Sequence, residues 1–511
     1  MPQGIVHAVS EVVGFAKTGG LADVGAALPR ALARRGRACT VILPLYRAAR
    51  VGHTPVFPTD HTFTVGVGTR QISGRLWKST LPDSEVPVYL IENSELFERD
   101  DPAEGRGLYH FTLPGGARRD YPDNCVRFLF FAKAVLETIR LLELEPSILH
   151  CHDWQAGMVP VLLKEIYARF AAPGLRERYQ AIRSVFTIHN IAYQGVCRGV
   201  EFPLTGLEWR LFNFKQLEFY GNWSFLKGGI VFSDWVTTVS PTYAEEIQTP
   251  QYSYGMHGIL TERRPRLSGI VNGVDYREWG PAADPLIVRT YTPETVAEGK
   301  AECKAALQRR YGLAEDPKAP LLAMVARLVE QKGIDLLVRV ADRLFHDPEL
   351  GVQLVVLGEG DPAYHRMLIE IRDRHRDRFG LTLAFDEGLA HQVEAGADIF
   401  LMPSQYEPSG LNQLYSLRYG TVPVVRACGG LNDTITDCTP ETLAAGTATG
   451  FRFIHYTPEG LLWAVRQAVQ LYRHDPDQWR RLQLNGMRQD WSWDRSAAEY
   501  EKVYSRLVAG G

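Results

Sequence analysis

Short apolar runs rich in β-branched residues recur along the chain, separated by longer stretches with helical spacing. In the first half they are "IVHAVSEVVGF" (5–15), "CTVIL" (39–43), "VPVYLI" (86–91), "SILHC" (147–151), "SVFTIH" (184–189) and "WVTTVS" (235–240). A second series follows with "LLAMVA" (321–326), "VQLVVL" (352–357), "LTLAF" (381–385), "DIFLM" (398–402) and "TVPVV" (421–425). Between them lie segments such as "LADVGAALPRALARRG" (21–36), where apolar residues return every third or fourth position until Gly36. Strand and helix in alternation predict βαβ units, and two such series predict an α/β protein of two Rossmann-like, doubly wound halves. The stretch "TERRPRLSG" (261–269) has charge, Pro and Gly but no periodicity. It sets the expected junction between a first domain, 1–262, and a second, 268–484.

In open parallel sheets ligands collect beyond the carboxyl ends of the strands, so two halves of this kind are expected to face a shared cleft. Polar clusters fall at just those places. "KTGG" (17–20) follows the first run, "HDWQAG" (152–157) and "HNIAYQG" (189–195) follow the third and fourth of the later strands, and "ARLVEQKG" (326–333) and "PSQYEPSGLNQ" (403–413) follow two strands of the second series.

Each cluster offers particular chemistry. In "KTGG", Gly19 and Gly20 let a ligand approach the backbone, the helix that follows directs free N–H groups toward it, and Lys17 adds a charge. Taken alone the segment reads equally well as a plain turn, because the Walker A order is absent. Arg327 and Lys332 lie five residues apart, a planar fork and a mobile ammonium suited to a diphosphate, or two solvated surface charges. Glu407 precedes Pro408, Ser409 and Gly410 at an expected helix start, where it either caps the helix or faces a sugar. His189 closes a buried strand, where a lone histidine is ordinarily a core residue. Its neighbours Asn190, Tyr193 and Gln194, with Asp153, Trp154 and Gln155, supply donors and an indole face suited to carbohydrate.

Composition removes several classes. With 56 Lys and Arg against 59 Asp and Glu, the net charge of -3 gives no bulk basic field for nucleic acid or anionic lipid. The seven cysteines are scattered without a C-x-x-C pair, which predicts neither a disulfide framework nor a zinc site and points to a reducing cytoplasm. The chain start has no basic n-region with a cleavable apolar segment. The most apolar stretch, "FLFFAKAVLETIRLL" (128–142), is interrupted by Lys133, Glu137 and Arg140 and reads as an amphipathic core helix, so no membrane partner is expected.

Taken together, the segments "SEVVGFAKTGGLADVGAALPRAL", "HCHDWQAGMVP", "TIHNIAYQGV", "FLKGGIVFSDWVTTVSPTYAEEIQTP", "ARLVEQKGIDLL", "PSQYEPSGLNQLYSLRYGTVPVVRACGGLNDTI" and "WSWDRSAAEYEKVY" make the chain resemble the bacterial-type glycogen and starch synthases over nearly its whole length. The resemblance implies the GT-B fold and transfer of an α-glucosyl unit from ADP-glucose to the nonreducing end of an α-1,4-glucan, with retention and with neither metal nor other cofactor. It implies that Lys17, Gly19 and Gly20 contact the donor, that Arg327 and Lys332 grip its diphosphate, and that amides at Ser409, Gly410, Leu411 and Asn412 complete the phosphate site. Phe385 would stack on adenine, and His189 and Glu407 would flank the transferring glucose, His189 through its backbone carbonyl or its ring and Glu407 by orienting Lys332 or the glucose hydroxyls. Glu11, Asp23, Asp153, Trp154, Asn190 and Asn272 would lie near donor sugar or acceptor. The tail, 485–511, would return to the first domain. Ser409 and Cys428 stand where many relatives carry Cys and Thr, and Gln251 and His257 replace common acidic residues, which bears on acceptor preference. Tyr415 occupies the place of a ribose-binding glutamate in the sucrose- and trehalose-phosphate-type transferases. A UDP-glucose-using relative and a noncatalytic glucan-binding relative are the alternatives.

Overall fold

The structure is a computed structural model that describes residues 4–113 and 117–510. Its contacts divide the chain into two units: Met1–Val239, Ala244–Ile270 and Trp493–Gly511 form one, and Ser240–Tyr243 with Val271–Ser492 the other.

The first unit is built on a nine-stranded sheet in the order Leu267–Gly269, Trp235–Thr238, Arg183–Ile188, Pro146–His152, Gly4–Ala8, Cys39–Pro44, Pro87–Glu92, Arg70–Thr80 and Phe57–Val67. The first seven strands run parallel, and the last two add antiparallel pairs. The parallel strands are buried on both faces, which is why they read as unbroken apolar runs. Gly4–Ala8 sits centrally, with His7 opposite His150 and Val41 in register. The first strand is shorter than its apolar run: it ends at Ala8, and Val9, Val12 and Phe15 are buried in a loop closed by a bridge between Val12 and Ala16. That loop feeds the helix Gly20–Arg34, whose first turn carries Asp23 and whose last carries Arg34, both favourable to the helix dipole.

The helix Asn124–Leu141 is buried on most sides rather than amphipathic. Lys133, read as a break in the apolar stretch, is itself buried and donates Nζ to the Gly66 carbonyl at 2.5 Å. The C-terminal helix Trp493–Ala509 packs Trp493, Tyr500 and Tyr504 into the same core as Val9, Leu28 and Val41, and its Glu501 accepts from Arg35 at 2.8 Å and Arg37 at 2.7 Å.

The second unit holds a six-stranded, wholly parallel sheet: Phe379–Thr382, Gln353–Leu357, Leu321–Val325, Ile399–Met402, Val422–Arg426 and Phe451–Phe453. The edge strand starts at Phe379, not at 381, because Phe379 and Gly380 already pair with Leu354 and Val355. Helices Ile334–His346 and Pro458–His474 cover one face with Leu337, Val340, Leu461 and Val465.

One cysteine expectation is overturned. Cys39, Cys151, Cys303, Cys428 and Cys438 are not disulfide-bonded, but Cys125 and Cys197 are, with Cα atoms 6.1 Å apart. They are 72 residues apart in sequence, so tertiary packing brings them together and no local spacing announces the pair. No helix among the described residues is long and apolar enough to cross a membrane.

Candidate active site

In the second unit, three loops beyond the carboxyl ends of the strands are tied into one cluster. The loop after Leu321–Val325 is joined to the loop after Ile399–Met402 by Gln405 N donating to Gln331 O at 2.9 Å and by Asn412 Nδ2 donating to Val325 O at 2.7 Å. The ion pair of Lys332 Nζ with Glu407 Oε2 at 2.6 Å is a third link. Glu407 is only 4% exposed, and Ser404 Oγ donates to the same oxygen at 2.9 Å. Glu407 therefore fixes the ammonium of Lys332 instead of capping a helix. The third loop arrives through Gly430 N, which donates to Glu407 O at 3.0 Å. Gly429 allows that approach: a Cβ there would stand 1.9 Å from the Glu407 carbonyl.

Arg327 is exposed, and no carboxylate of the described residues lies within ion-pair distance of it. Beside this group the helix Asn412–Tyr419 begins, preceded by Gly410 at φ +66° and Leu411 as N-cap, so its first amides lack intrahelical acceptors. An unpaired guanidinium, a clamped ammonium and a helix N-terminus make this cluster suited to an anion with several oxygens. Ser409 is buried, and its hydroxyl has no partner among the described residues. Phe385, just beyond the edge strand, leaves its ring 77% exposed. Tyr415 stacks on Trp279 with centroids 4.0 Å apart, and Trp279 stacks on His391 at 3.8 Å. Asn272 is buried, and its Oδ1 has no partner among the described residues.

In the first unit, Glu11 organises the glycine loop. Buried, it accepts from Thr18 Oγ1 at 2.7 Å and from Tyr109 Oη at 2.7 Å, and burial raises its carboxyl above the ordinary range. Thr18 is thereby pinned between Lys17 and Gly19. Lys17 Nζ pairs with Asp23 at 2.9 Å, and Gly19 is the N-cap of Gly20–Arg34.

Asp153 stands at φ +58°, rare for a residue with a side chain, and its Oδ1 accepts from the backbone N of His189 at 2.9 Å and of Asn190 at 3.4 Å. Burial pushes this carboxyl up to about 7. Trp154 packs edge-on against Phe128 at 4.8 Å and Phe225 at 5.8 Å, which makes it a brace for the loop. Asn190 turns its Oδ1 back to Ala192 N at 3.0 Å. His189 Nε2 meets His152 Nδ1 at 3.1 Å, and burial lowers the His189 ring to about 3, so it is neutral at pH 7.

Contacts thus tie Glu11 to Thr18 and Asp153 to His189 and Asn190 in the first unit, and Lys332 to Glu407 and Asn412 to Val325 in the second, whereas no hydrogen bond or ion pair among the described residues ties Phe385 or Asn272 to that cluster. Sequence reasoning missed Tyr109 and Ser404, which hold Glu11 and Glu407. Ser404 sits three positions before Glu407 in a stretch already singled out, whereas no local signal marks Tyr109. A depression of about 460 Å³ along the edge strand Phe379–Thr382 is lined by Arg310, Arg372 and Arg376 and shares no residue with these clusters.

With the geometry in view, comparison with known proteins is informative. The starch synthase catalytic domain family matches residues 4–262, and the group 1 glycosyl transferase family matches residues 308–481. Glycogen synthases from Anaeromyxobacter dehalogenans and Rhodopirellula baltica are 46% and 42% identical over 99% of this chain, covering 99% and 98% of their own lengths. The catalytic domain of starch synthase IV from Arabidopsis thaliana, a structure bound to ADP and acarbose, superposes with a TM-score of 0.87 at 33% identity, with full coverage of both chains. A sucrose-phosphate synthase from Thermosynechococcus elongatus, at TM-score 0.57 and 17% identity, shares the fold. The chain belongs to the glycogen and starch synthase family of glucosyltransferases, with the two Rossmann-like units of the GT-B fold.

Proposed function

We propose that the protein transfers an α-glucosyl unit from ADP-glucose to the 4-hydroxyl at the nonreducing end of an α-1,4-glucan, retaining the α configuration and using no metal. The observation that carries this reading is the anion-ready cluster of the second unit: exposed Arg327, Lys332 held by Glu407, and the amides that open Asn412–Tyr419. The relative from Arabidopsis thaliana bound to ADP and acarbose supports a nucleoside diphosphate leaving group and a glucan-like acceptor.

As the bond from C1 to the diphosphate breaks, positive charge grows on the sugar ring and negative charge on the departing oxygens. Groups already aimed at that negative charge lower the barrier without reorganising. Arg327 supplies a planar fork, Lys332 a point charge, and Gly410, Leu411 and Asn412 backbone donors. Glu407 keeps Lys332 in place. Lys17, Gly19 and Gly20 contact the donor, and Glu11, through Thr18, holds that loop in shape. Phe385 offers its exposed ring to adenine. The His189 carbonyl faces the sugar, on a backbone anchored by Asp153. Asp23, Trp154, Asn190 and Asn272 shape the surroundings of sugar and acceptor. The proposal includes a cytoplasmic location and no nucleic-acid or membrane partner.

The test is a transfer assay in EDTA with a glycogen primer and labelled ADP-glucose or UDP-glucose in competition. Incorporation from ADP-glucose in preference is expected. Preference for UDP-glucose would change the donor, and glucan binding without transfer from either would mark a noncatalytic relative.

A further inference from the structure

We infer that His7 and His152 are positioning residues that lock the His189 ring in the tautomer with its proton on Nδ1, so the ring serves its site as a hydrogen-bond donor and not as a base. The relay rests on the geometry and burial of the three rings, and only its use in glucosyl transfer rests on the proposed function.

Three imidazoles form a chain, two on the adjacent strands Gly4–Ala8 and Pro146–His152 and the third, His189, one residue past the next strand, Arg183–Ile188. His7 Nδ1 lies 3.3 Å from His152 Nε2, and His152 Nδ1 lies 3.1 Å from His189 Nε2. Burial lowers His7 and His189 to about 3 and His152 well below its ordinary value, so all three are neutral at pH 7. A neutral imidazole has one N–H and one lone pair, so the chain has only two self-consistent polarities. With one, His7 donates to His152 and His152 donates to His189. With the other, every arrow reverses, and the proton on His7 moves to Nε2. That atom is buried and has no hydrogen-bond partner among the described residues. A buried N–H without an acceptor is rarer and costlier than an unused lone pair. The first polarity is therefore selected at the far end of the chain, two residues from the ring it controls. His189 Nε2 must accept, and its proton resides on Nδ1.

His150 does not disturb this logic. Its ring lies 4.0 Å from that of His152, but its Nδ1 meets Tyr504 Oη at 2.8 Å and its Nε2 meets Thr187 Oγ1 at 2.6 Å. Both nitrogens are occupied, so the grouping of His7, His150 and His152 lacks a free lone pair on His150 for a metal ion. The His189 backbone is anchored separately, through its N–H on Asp153. Ring and main chain are thus oriented by different partners.

The experiment is neutron diffraction from crystals of the full chain exchanged into D2O. Deuterium is expected on Nδ1 of His7, His152 and His189, with none on Nε2 of His7 or His189. Deuterium on His189 Nε2 or on both its nitrogens, or a metal between His7, His150 and His152, would overturn the inference. Kinetics supply the second arm. His152→Leu removes the donor to His189 and is expected to lower kcat by about tenfold with the donor KM changed less than about threefold, whereas His152→Asn, whose amide reaches the Nδ1 position, restores most of the rate. Equal losses in the two variants would leave His152 a packing residue only and overturn the positioning role. If the wild-type protein transferred no sugar at all, the functional reading would fail while the deuterium positions still decided the relay.

Discussion

Replacing Glu407 by Gln probes the hold on Lys332. The variant keeps size and one acceptor oxygen but removes the charge that faces Lys332 Nζ at 2.6 Å, where the two side chains are 19% and 5% exposed. Water cannot substitute freely at such a site, so the exposed-pair value of under 1 kcal/mol does not apply. A hydrogen bond to a charged group contributes about 1.5–3 kcal/mol, and at about 1.4 kcal/mol per decade this corresponds to a loss of roughly one to two decades in kcat/KM. If Lys332 acts on the diphosphate as charge develops, the loss should appear mainly in kcat. Steady-state transfer from ADP-glucose to glycogen measures it, with urea unfolding as the control for stability. A cycle with Lys332→Met completes the test: when both substitutions break one contact, the double variant should be scarcely slower than Lys332→Met alone. A Glu407→Gln enzyme within threefold of wild type, or fully additive losses, would refute the idea that Glu407 works by holding Lys332.

Arg327→Ala should leave the midpoint of unfolding nearly unchanged, since the side chain is exposed and unpaired, while weakening ADP binding by about ten- to hundredfold in calorimetry. Asp153, whose carboxyl is raised from 3.8 to about 7 by burial, keeps its proton in the folded state after the unfolded chain has lost it. Stability should therefore fall as pH rises from about 4 to 7, and Asp153→Asn should flatten that slope in urea titrations, whereas an unchanged slope would assign it to another group. Thiol counting on the denatured, unreduced protein should find five thiols of the seven cysteines, and Cys125→Ser should cost about 4 kcal/mol by the loop-entropy relation for a 72-residue separation; seven thiols would contradict the disulfide.

Most of the sheet architecture was legible because strands buried on both faces leave continuous apolar runs, as in "SILHC" and "DIFLM". The exceptions have physical causes. Val9, Val12 and Phe15 are as buried as strand residues, so hydrophobicity alone extended the first strand past Ala8. The antiparallel hairpin Phe57–Val67 with Arg70–Thr80 escaped because its first half is exposed and rich in Thr and His, and alternation begins only at Phe63. Lys133 interrupts the apolar stretch as a charge in sequence, which suggests an amphipathic helix, but the Gly66 carbonyl satisfies it inside. At the site, Arg327, Lys332, Glu407 and Gly410 were legible as candidates from their place at strand ends. That Glu407 orients either Lys332 or the glucose hydroxyls is also within reach of that placement, but only the fold, which joins residues 75 apart in sequence, selects Lys332. The chain of His7, His152 and His189 was invisible for the same reason: only the register of neighbouring strands sets those rings in a row.

The central claim is that side chains and amides of the second unit hold the donor's diphosphate without a metal. A crystal structure with ADP in the presence of EDTA tests it most directly. The account predicts diphosphate oxygens within hydrogen-bond distance of the Arg327 guanidinium, of Lys332 Nζ and of at least one amide between Gly410 and Asn412. A diphosphate bound elsewhere, or one that binds only when a divalent cation bridges it to carboxylates, would contradict it.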